Sequence, residues 1–479
     1  MISLHIQDVI FSPNTFQHRV YETQFMHVAL PIFLRGIIME ISHREIYALV
    51  DINNCYVSCE RLFNPKLIGL PVVVLSNNDG CVVSRSEEAK DLGIKMATPW
   101  YQIEEEALKA GVHVYSSNYT LYAEMSRRFF SVLGEFFSSD DLEAYSIDEC
   151  FIHLTPYLQS LEIHSYCGKV VETLEEWLSL PCCIGIGYSK TQAKLANHYA
   201  KKIKSFNGIC NFTTLDPLIL EDLMQQTSVK EVWGIGYQLV KQLRSYEIYS
   251  CLDLTFANEY HLAKAFSVVM ARTIRELKGQ SCIQLDDPAI LTKRILASRS
   301  FAQALSSIEI IKQALIFHLN RAHRRLMKQE QLCACIQVML YEKTDKPPYK
   351  KASSQAIGLT YATDDLCILT KAAMQQIDVL YKENKRYIKI GVLFCGLHAR
   401  QHHIDDLWQP LELIQQRQQL MKTLSTVRNR FGSHYLQVGY HSRSPSWHMK
   451  QCHRSKNYLT RWNELLVIEE NSTAVTQNT

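Results

Sequence analysis

No stretch of this 479-residue sequence reaches the roughly 18 apolar residues that a membrane-spanning helix requires. The nearest, from Met26 to Ile41, is broken by Pro31 and Arg35. Cysteines at C-x-x-C spacing are also missing, which argues against a structural zinc site. The 15 cysteines that are present, among them Cys182-Cys183 and Cys333-Ala334-Cys335, are scattered and read as reduced thiols of a cytoplasmic protein. Residues 1–45 lack any clear periodicity and are read as a poorly ordered N-terminal extension outside the fold, with Met39 as an alternative start of translation. The last ten residues are polar and are read as disordered.

What is present has length for several domains and apolar content for their cores. The net charge of +3 conceals a division. Residues 292–400 hold 18 Lys and Arg against 8 Asp and Glu, a net of +10, and the rest of the chain carries −7. A basic block on an acidic majority suggests a module that grips a polyanion, most simply nucleic acid. A solvated basic surface without a ligand is the other reading that charge alone leaves open.

The chemistry-bearing stretch is Tyr145-Ser146-Ile147-Asp148-Glu149-Cys150-Phe151. Two adjacent carboxylates stand inside an apolar and aromatic run. Buried and ionised they cost several kcal/mol each unless compensated, and a divalent cation compensates both at once. An exposed hairpin tip with two solvated acids would explain the pair as well. A second apolar run ending in a carboxylate, Ile46 to Asp51, favours the metal, because two such strands side by side would bring Asp51 and Asp148 to one cluster.

Further along, Pro71 to Leu75 reads as a β-branched strand, Asn77-Asn78-Asp79-Gly80 as a hairpin and Cys81 to Ser84 as its partner. A short helix follows from Ser86, with an acidic first turn and a stop at Gly93. These blocks, together with Asp51 to Tyr56, Ser117-Asn118-Tyr119, Ala193-Lys194-Leu195-Ala196-Asn197-His198 and Val232-Trp233-Gly234-Ile235-Gly236, occur in an order that resembles the Y-family DNA polymerases, most closely their UmuC branch. The resemblance runs from Tyr47 to Gly396 and more loosely to Leu466.

The resemblance implies an α+β multidomain, right-hand polymerase. It would have a ferredoxin-like palm (46–54 and 120–213), small fingers (55–119), a helical thumb with a helix-hairpin-helix (214–286), a β-α-β-β-α-β little finger (292–400) and a C-terminal tail (401–479). Asp286 to Leu291 reads as a linker. Nucleotidyl transfer would use two Mg2+ ions about 4 Å apart, held by Asp51, Asp148, Glu149 and the carbonyl of Ile52. Because strand side chains alternate, Asp148 and Glu149 can share that site only where the strand bends or ends. Ser146 reads as a hydrogen-bond donor to Asp148 or as a packing serine.

By the same resemblance Tyr56 is the gate against ribose, and Lys90 and Lys194 hold the triphosphate. Glu87 stands where relatives carry a phosphate ligand and cannot serve as one. Gly234 and Gly236 let backbone N–H groups approach a DNA phosphate, although an ordinary interhelical turn would look alike. Arg299, Lys343, Lys350 and Lys351 are expected on an open sheet face toward the DNA backbone. The implied partners are primer-template DNA, deoxyribonucleotides, a processed UmuD dimer and the RecA filament of the SOS response. Ile404 to Trp408 lies where relatives carry a sliding-clamp peptide. A DinB-like polymerase working alone, a vestigial DNA-binding scaffold and a palm-based cyclase are the alternatives, and the presence of all three acids argues against the scaffold.

Overall fold

The computed structural model describes residues 45–158, 162–285, 292–347, 349–402, 411–432, 436, 438, 447 and 449–466. The expected N-terminal extension, the linker after Leu285 and the clamp-like peptide lie outside the described residues, apart from Glu45. In chain order the strands are β1 (Tyr47–Ile52), β2 (Val72–Leu75), β3 (Val82–Arg85), β4 (His113–Ser116), β5 (Leu142–Ala144), β6 (Glu149–His153), β7 (Cys182–Gly187), β8 (Ile209–Asn211), β9 (Ile295–Leu305), β10 (Gln331–Lys343), β11 (Lys350–Thr363) and β12 (Tyr387–Ala399). The chain divides into two compact units, one of residues 1–53 with 125–285 and one of residues 54–124 with 286–479.

The first unit is built on a five-stranded sheet of order β5-β6-β1-β7-β8. Its centre is β1, whose sequence YALVDI is buried throughout and pairs antiparallel with both β6 and β7. A strand covered on both faces reads as a continuous apolar run, so Asp51 at its end is the anomaly. Strand β7 crosses to the parallel β8 through the helix Lys190–Lys202. That helix lies directly on the β7 backbone: a Cβ on Gly185 would sit 2.0 Å from the Asn197 nitrogen. The buried Asn197 amide donates to the carbonyls of Leu49 and Cys183 at 3.2 and 2.8 Å, fixing the helix to β1 and β7. Five short helices from Pro217–Gln226 to Val268–Leu277 close around Leu243, Leu254, Leu262 and Ile274.

The second unit contains the sheet β3-β2-β4 and the antiparallel sheet β11-β10-β12-β9. The latter is backed by the helices Ile308–Lys328 and Leu366–Leu380. The β-α-β-β-α-β order is as expected, but the strands are longer. The expected Ser354 to Leu359, for example, is the middle of β11, which starts in the exposed Lys350-Lys351-Ala352. An exposed strand end has no hydrophobic alternation to mark it. All 15 cysteines are free thiols, and among the described residues no helix is long and apolar enough to cross a membrane.

Two histidines are sealed into the four-stranded module. Burial and the charges of Arg321 and Arg299 push His318 down to about 3. Burial and Arg428 push His323 down to about 4, with Asp365 opposing. Both folded values lie below the ordinary 6.5, so the stabilisation is complete above that pH and is lost as the pH falls toward the folded values. Each histidine should then cost about 1.4 kcal/mol per pH unit below 6.5. Thermal unfolding between pH 7 and 5 checks this, and His318→Gln should lessen the dependence by about 1.4 kcal/mol per pH unit below 6.5. The buried Glu60 of the same unit, pushed up to about 7 by burial, acts with the opposite sign, so the difference between parent and variant is the decisive quantity. Parallel profiles would refute the assignment.

Candidate active site

The two acid-bearing strands are neighbours. In the β1–β6 register Asp51 faces Glu149, so these two side chains emerge on the same side of the sheet. The residue opposite Asp51 in the register is Glu149, and Asp148 is the residue just before it in the chain. Asp148 precedes β6, in a turn where the N–H groups of Tyr145 and Ser146 both donate to the Glu149 carbonyl at 3.1 Å and the Ile52 N–H donates to the Asp148 carbonyl at 2.9 Å. The strand begins at Glu149, which meets the condition for both acids to serve one site. The Ser146 hydroxyl donates to the Asp148 carboxylate.

One helix face answers these acids. Lys190, Lys194, Asn197 and Lys201 recur at i, i+4, i+7 and i+11 along Lys190–Lys202 and form one stripe. Lys201 Nζ is 2.5 Å from Asp51 Oδ1. Lys194 Nζ lies 2.8 and 3.0 Å from the two Glu149 oxygens and 4.5 Å above the Tyr145 ring. The fully buried Lys190 pairs with Glu143 and donates to the Gln284 carbonyl at 2.8 Å. The sequence singled out Lys194 and missed Lys201 and Lys190, although their spacing was visible.

Burial pushes the Asp51 carboxyl up to about 7; the charge of Lys201 and its hydrogen bond pull it down, and Glu149 and Asp148 push it further up. The three acids are thus close enough to feel one another. Among the described residues no group of three His, Cys, Asp or Glu side chains converges as an ion would require, because each acid is turned to a lysine or a serine. The carboxylate oxygens of the two strands and their adjoining turn are donors that suit a hard divalent cation, and the two lysine charges supply the neutralisation such an ion would bring.

The hairpin from Val232 to Gly236 packs on the same turn. The Trp233 indole N–H donates to the Tyr145 hydroxyl at 3.0 Å, with the rings edge to face at 5.5 Å. Gly234 has φ +85, the left-handed region that favours glycine. Gly236 caps the helix Tyr237–Leu243, and a Cβ at either glycine would meet open space.

In the second unit Tyr56 lies in the first turn of the helix Cys55–Phe63. Its ring stacks on Tyr122, centroids 4.5 Å apart and planes 12° apart. Lys90 is ion-paired with Glu87, which also accepts from the Asn54 amide at 3.1 Å. On the four-stranded sheet Lys343 and Lys350 face each other on the face opposite the helices. Lys389, which the sequence reading missed, shares that face and lies 5.0 Å over the Tyr341 ring. Arg299 does not: it pairs with the buried Ile390 on the helix-backed face, where burial and Arg321 lower its proton affinity. Lys351 pairs with Glu342, also off the open face. A two-residue period flips with each step, and the sequence alone did not say on which side Arg299 and Lys351 fell. Trp447, in the C-terminal segment, is buried in the module's core.

Residues 50–198 match the model of the impB/mucB/samB family and residues 292–407 that of the impB/mucB/samB family C-terminal domain. Residues 418–468 match a domain of unknown function (DUF4113). Protein ImpB of Salmonella typhimurium is 34% identical over 424 residues, 88% of this chain and 98% of that one. Protein UmuC of Salmonella typhimurium strain LT2 is 34% identical over 427 residues, 88% of this chain and 100% of that one. Among solved structures the Y-family DNA polymerase chimera Dbh-Dpo4(243-245)-Dbh superposes with a TM-score of 0.61 at 19% identity, covering 74% of this chain and 99% of that chain, a likeness of fold.

Proposed function

This chain belongs to the impB/mucB/samB family, and on that premise we propose that it is an error-prone translesion DNA polymerase, adding deoxyribonucleotides to a primer opposite damaged template. The observation that carries this reading is the facing of Asp51 and Glu149 across β1 and β6 with Asp148 in the adjoining turn. The residues 46–54 and 120–213 then correspond to a palm, 55–119 to fingers, 214–286 to a thumb and 292–400 to a little finger.

Asp51, Asp148, Glu149 and the Ile52 carbonyl would hold two Mg2+ ions, which when bound lower the proton affinity of the primer 3′-hydroxyl and neutralise the leaving pyrophosphate. Lys194 supplies a point charge for the triphosphate, an assignment supported by its place against Glu149, and Lys90 a second one. The Tyr56 ring excludes a 2′-hydroxyl by collision. Gly234 and Gly236 leave the hairpin backbone open to a phosphate of the duplex. By the family's likeness to UmuC the cellular setting is cytoplasmic SOS mutagenesis, with a UmuD-type dimer, the RecA filament and a sliding clamp as partners.

Primer extension across an abasic site, with Mg2+, all four deoxyribonucleotides and the UmuD-type and RecA partners, tests the reading. Extended product is expected, and its absence on damaged and undamaged templates alike would refute it. For the sheet face, Lys343→Ala and Lys389→Ala should each weaken duplex binding and reduce the slope of log K against log salt by about 1. Arg299→Ala should leave that slope unchanged. Equal effects of all three in a salt titration would show that the open face is not the DNA surface.

A further inference from the structure

The domain of unknown function contains a segment that docks on the residues around Tyr56. Residues 450–456 run along the edge of β4. The Ser116 N–H donates to the His453 carbonyl at 3.0 Å, the His453 N–H to the Ser116 hydroxyl at 2.9 Å and the Gln451 amide to the Ser117 carbonyl at 2.7 Å. The buried Asn118 donates to the Ser455 carbonyl at 3.2 Å, the Ser455 hydroxyl at 3.1 Å and the Lys456 carbonyl at 3.2 Å. Tyr458 stacks on Phe63 at 4.9 Å. Trp447, three residues ahead of this strip, is seated in the core of the four-stranded module. In the block Ser117-Asn118-Tyr119, the first two residues therefore serve to receive the C-terminal strip.

From Ser455 a chain of contacts runs inward. Its hydroxyl is 2.9 Å from Glu60 Oε1, and the Tyr122 hydroxyl donates to the same oxygen at 2.7 Å. Glu60 is 2% exposed and Tyr122 0%. A carboxylate so deeply buried is tolerated only when donors satisfy it, so each hydroxyl holds Glu60 and Glu60 holds both. Tyr122 then presents its ring flat against Tyr56. A ring can exclude a 2′-hydroxyl only if it cannot yield, and what stands behind it decides that.

We propose that Ser455, Glu60 and Tyr122 are positioning residues for Tyr56, so that the domain of unknown function sets the stringency of sugar selection. This rests on Tyr56 being the sugar gate. The support reaches Tyr56 only through packing and hydrogen bonds, and none of the three residues touches the nucleotide in this scheme.

The test is single-nucleotide incorporation on undamaged primer-template by the full chain, read as the ratio of kcat/KM for a deoxyribonucleotide to that for the matching ribonucleotide. Tyr56→Ala should lower the ratio by about 100-fold. Glu60→Ala should lower it by about tenfold and Ser455→Ala by about threefold, as expected for lost hydrogen bonds to a buried acid. Glu60→Gln keeps an oxygen acceptor and should stay within about twofold of the parent. A merely structural role would depress both incorporations together and leave the ratio unchanged. If Tyr56→Ala relaxes selection while Glu60→Ala and Ser455→Ala do not, the positioning role is wrong and the gate stands. If Tyr56→Ala has no effect, the gate itself is wrong and this inference with it. Should Glu60→Ala not fold, Ser455→Ala decides, because Ser455 lies at the margin of the network.

Discussion

Asp148→Ala should lower primer extension by about 10³-fold or more while leaving the unfolding temperature within a few degrees of the parent. The kinetic effect follows from what the acids must do. Phosphoryl transfer offers the protein little covalent chemistry, so rate comes from positioning and from charge placed where the reacting oxygens develop theirs. In the proposed mechanism Asp148 would be shared between two cations, and its loss would loosen both. The small stability effect follows from location: Asp148 lies in a turn, its carbonyl fixed by the Ile52 N–H, and its side chain is bonded to Ser146. Glu149→Ala should behave alike in rate. Asp51→Asn, at a site 8% exposed and salt-bridged to Lys201, should lose activity equally. Activity of Asp148→Ala within about tenfold of the parent would end the two-metal account.

Gly185→Ala is the second large effect: the variant should fail to accumulate as folded protein, or unfold well below the parent temperature. The added Cβ would stand 2.0 Å from the Asn197 nitrogen, 2.2 Å from the Ala193 carbonyl oxygen and 2.6 Å from the Asn197 Cα. All three are backbone atoms of the helix Lys190–Lys202, so no rotamer change relieves the clash. The helix would have to lift off β7, breaking the Asn197 hydrogen bonds to Leu49 and Cys183 and carrying Lys194 and Lys201 away from the acids. Overpacking of this kind costs about 3 kcal/mol or more, against a total stability of about 5–15 kcal/mol. Gly234→Ala is the contrast. Its φ of +85 makes alanine unfavourable, but a Cβ there meets nothing, so about 1–2 kcal/mol is expected. Soluble yield and thermal unfolding of the two variants distinguish these cases, and similar behaviour would show that the close approach of helix and strand has been misjudged.

Much of this was legible in the chain itself. The apolar run of β1 ending in Asp51, the acidic pair before Cys150-Phe151 and the hairpin after β2 are local patterns, because alternation and turn chemistry are written in neighbouring residues. The cysteines could be read as free because no ligand spacing was present. The stripe Lys190, Lys194, Asn197, Lys201 is equally local, but the partners of Lys190 and Lys201, Glu143 and Asp51, lie 47 and 150 residues away in the sequence.

By itself, then, the sequence determined which segments become strands and helices, that acids stand at the ends of two apolar strands, and which family the chain belongs to. The tertiary structure decided that Asp51 faces Glu149, that Lys201 and Lys194 answer those acids, that Arg299 turns toward the helices while Lys389 lies on the open face, and that Ser455 reaches Glu60 from 395 residues away. The reason is physical. Strand register and the docking of a distant segment are chosen by the burial and hydrogen bonding of the assembled surfaces, and no run of adjacent residues carries a record of that choice.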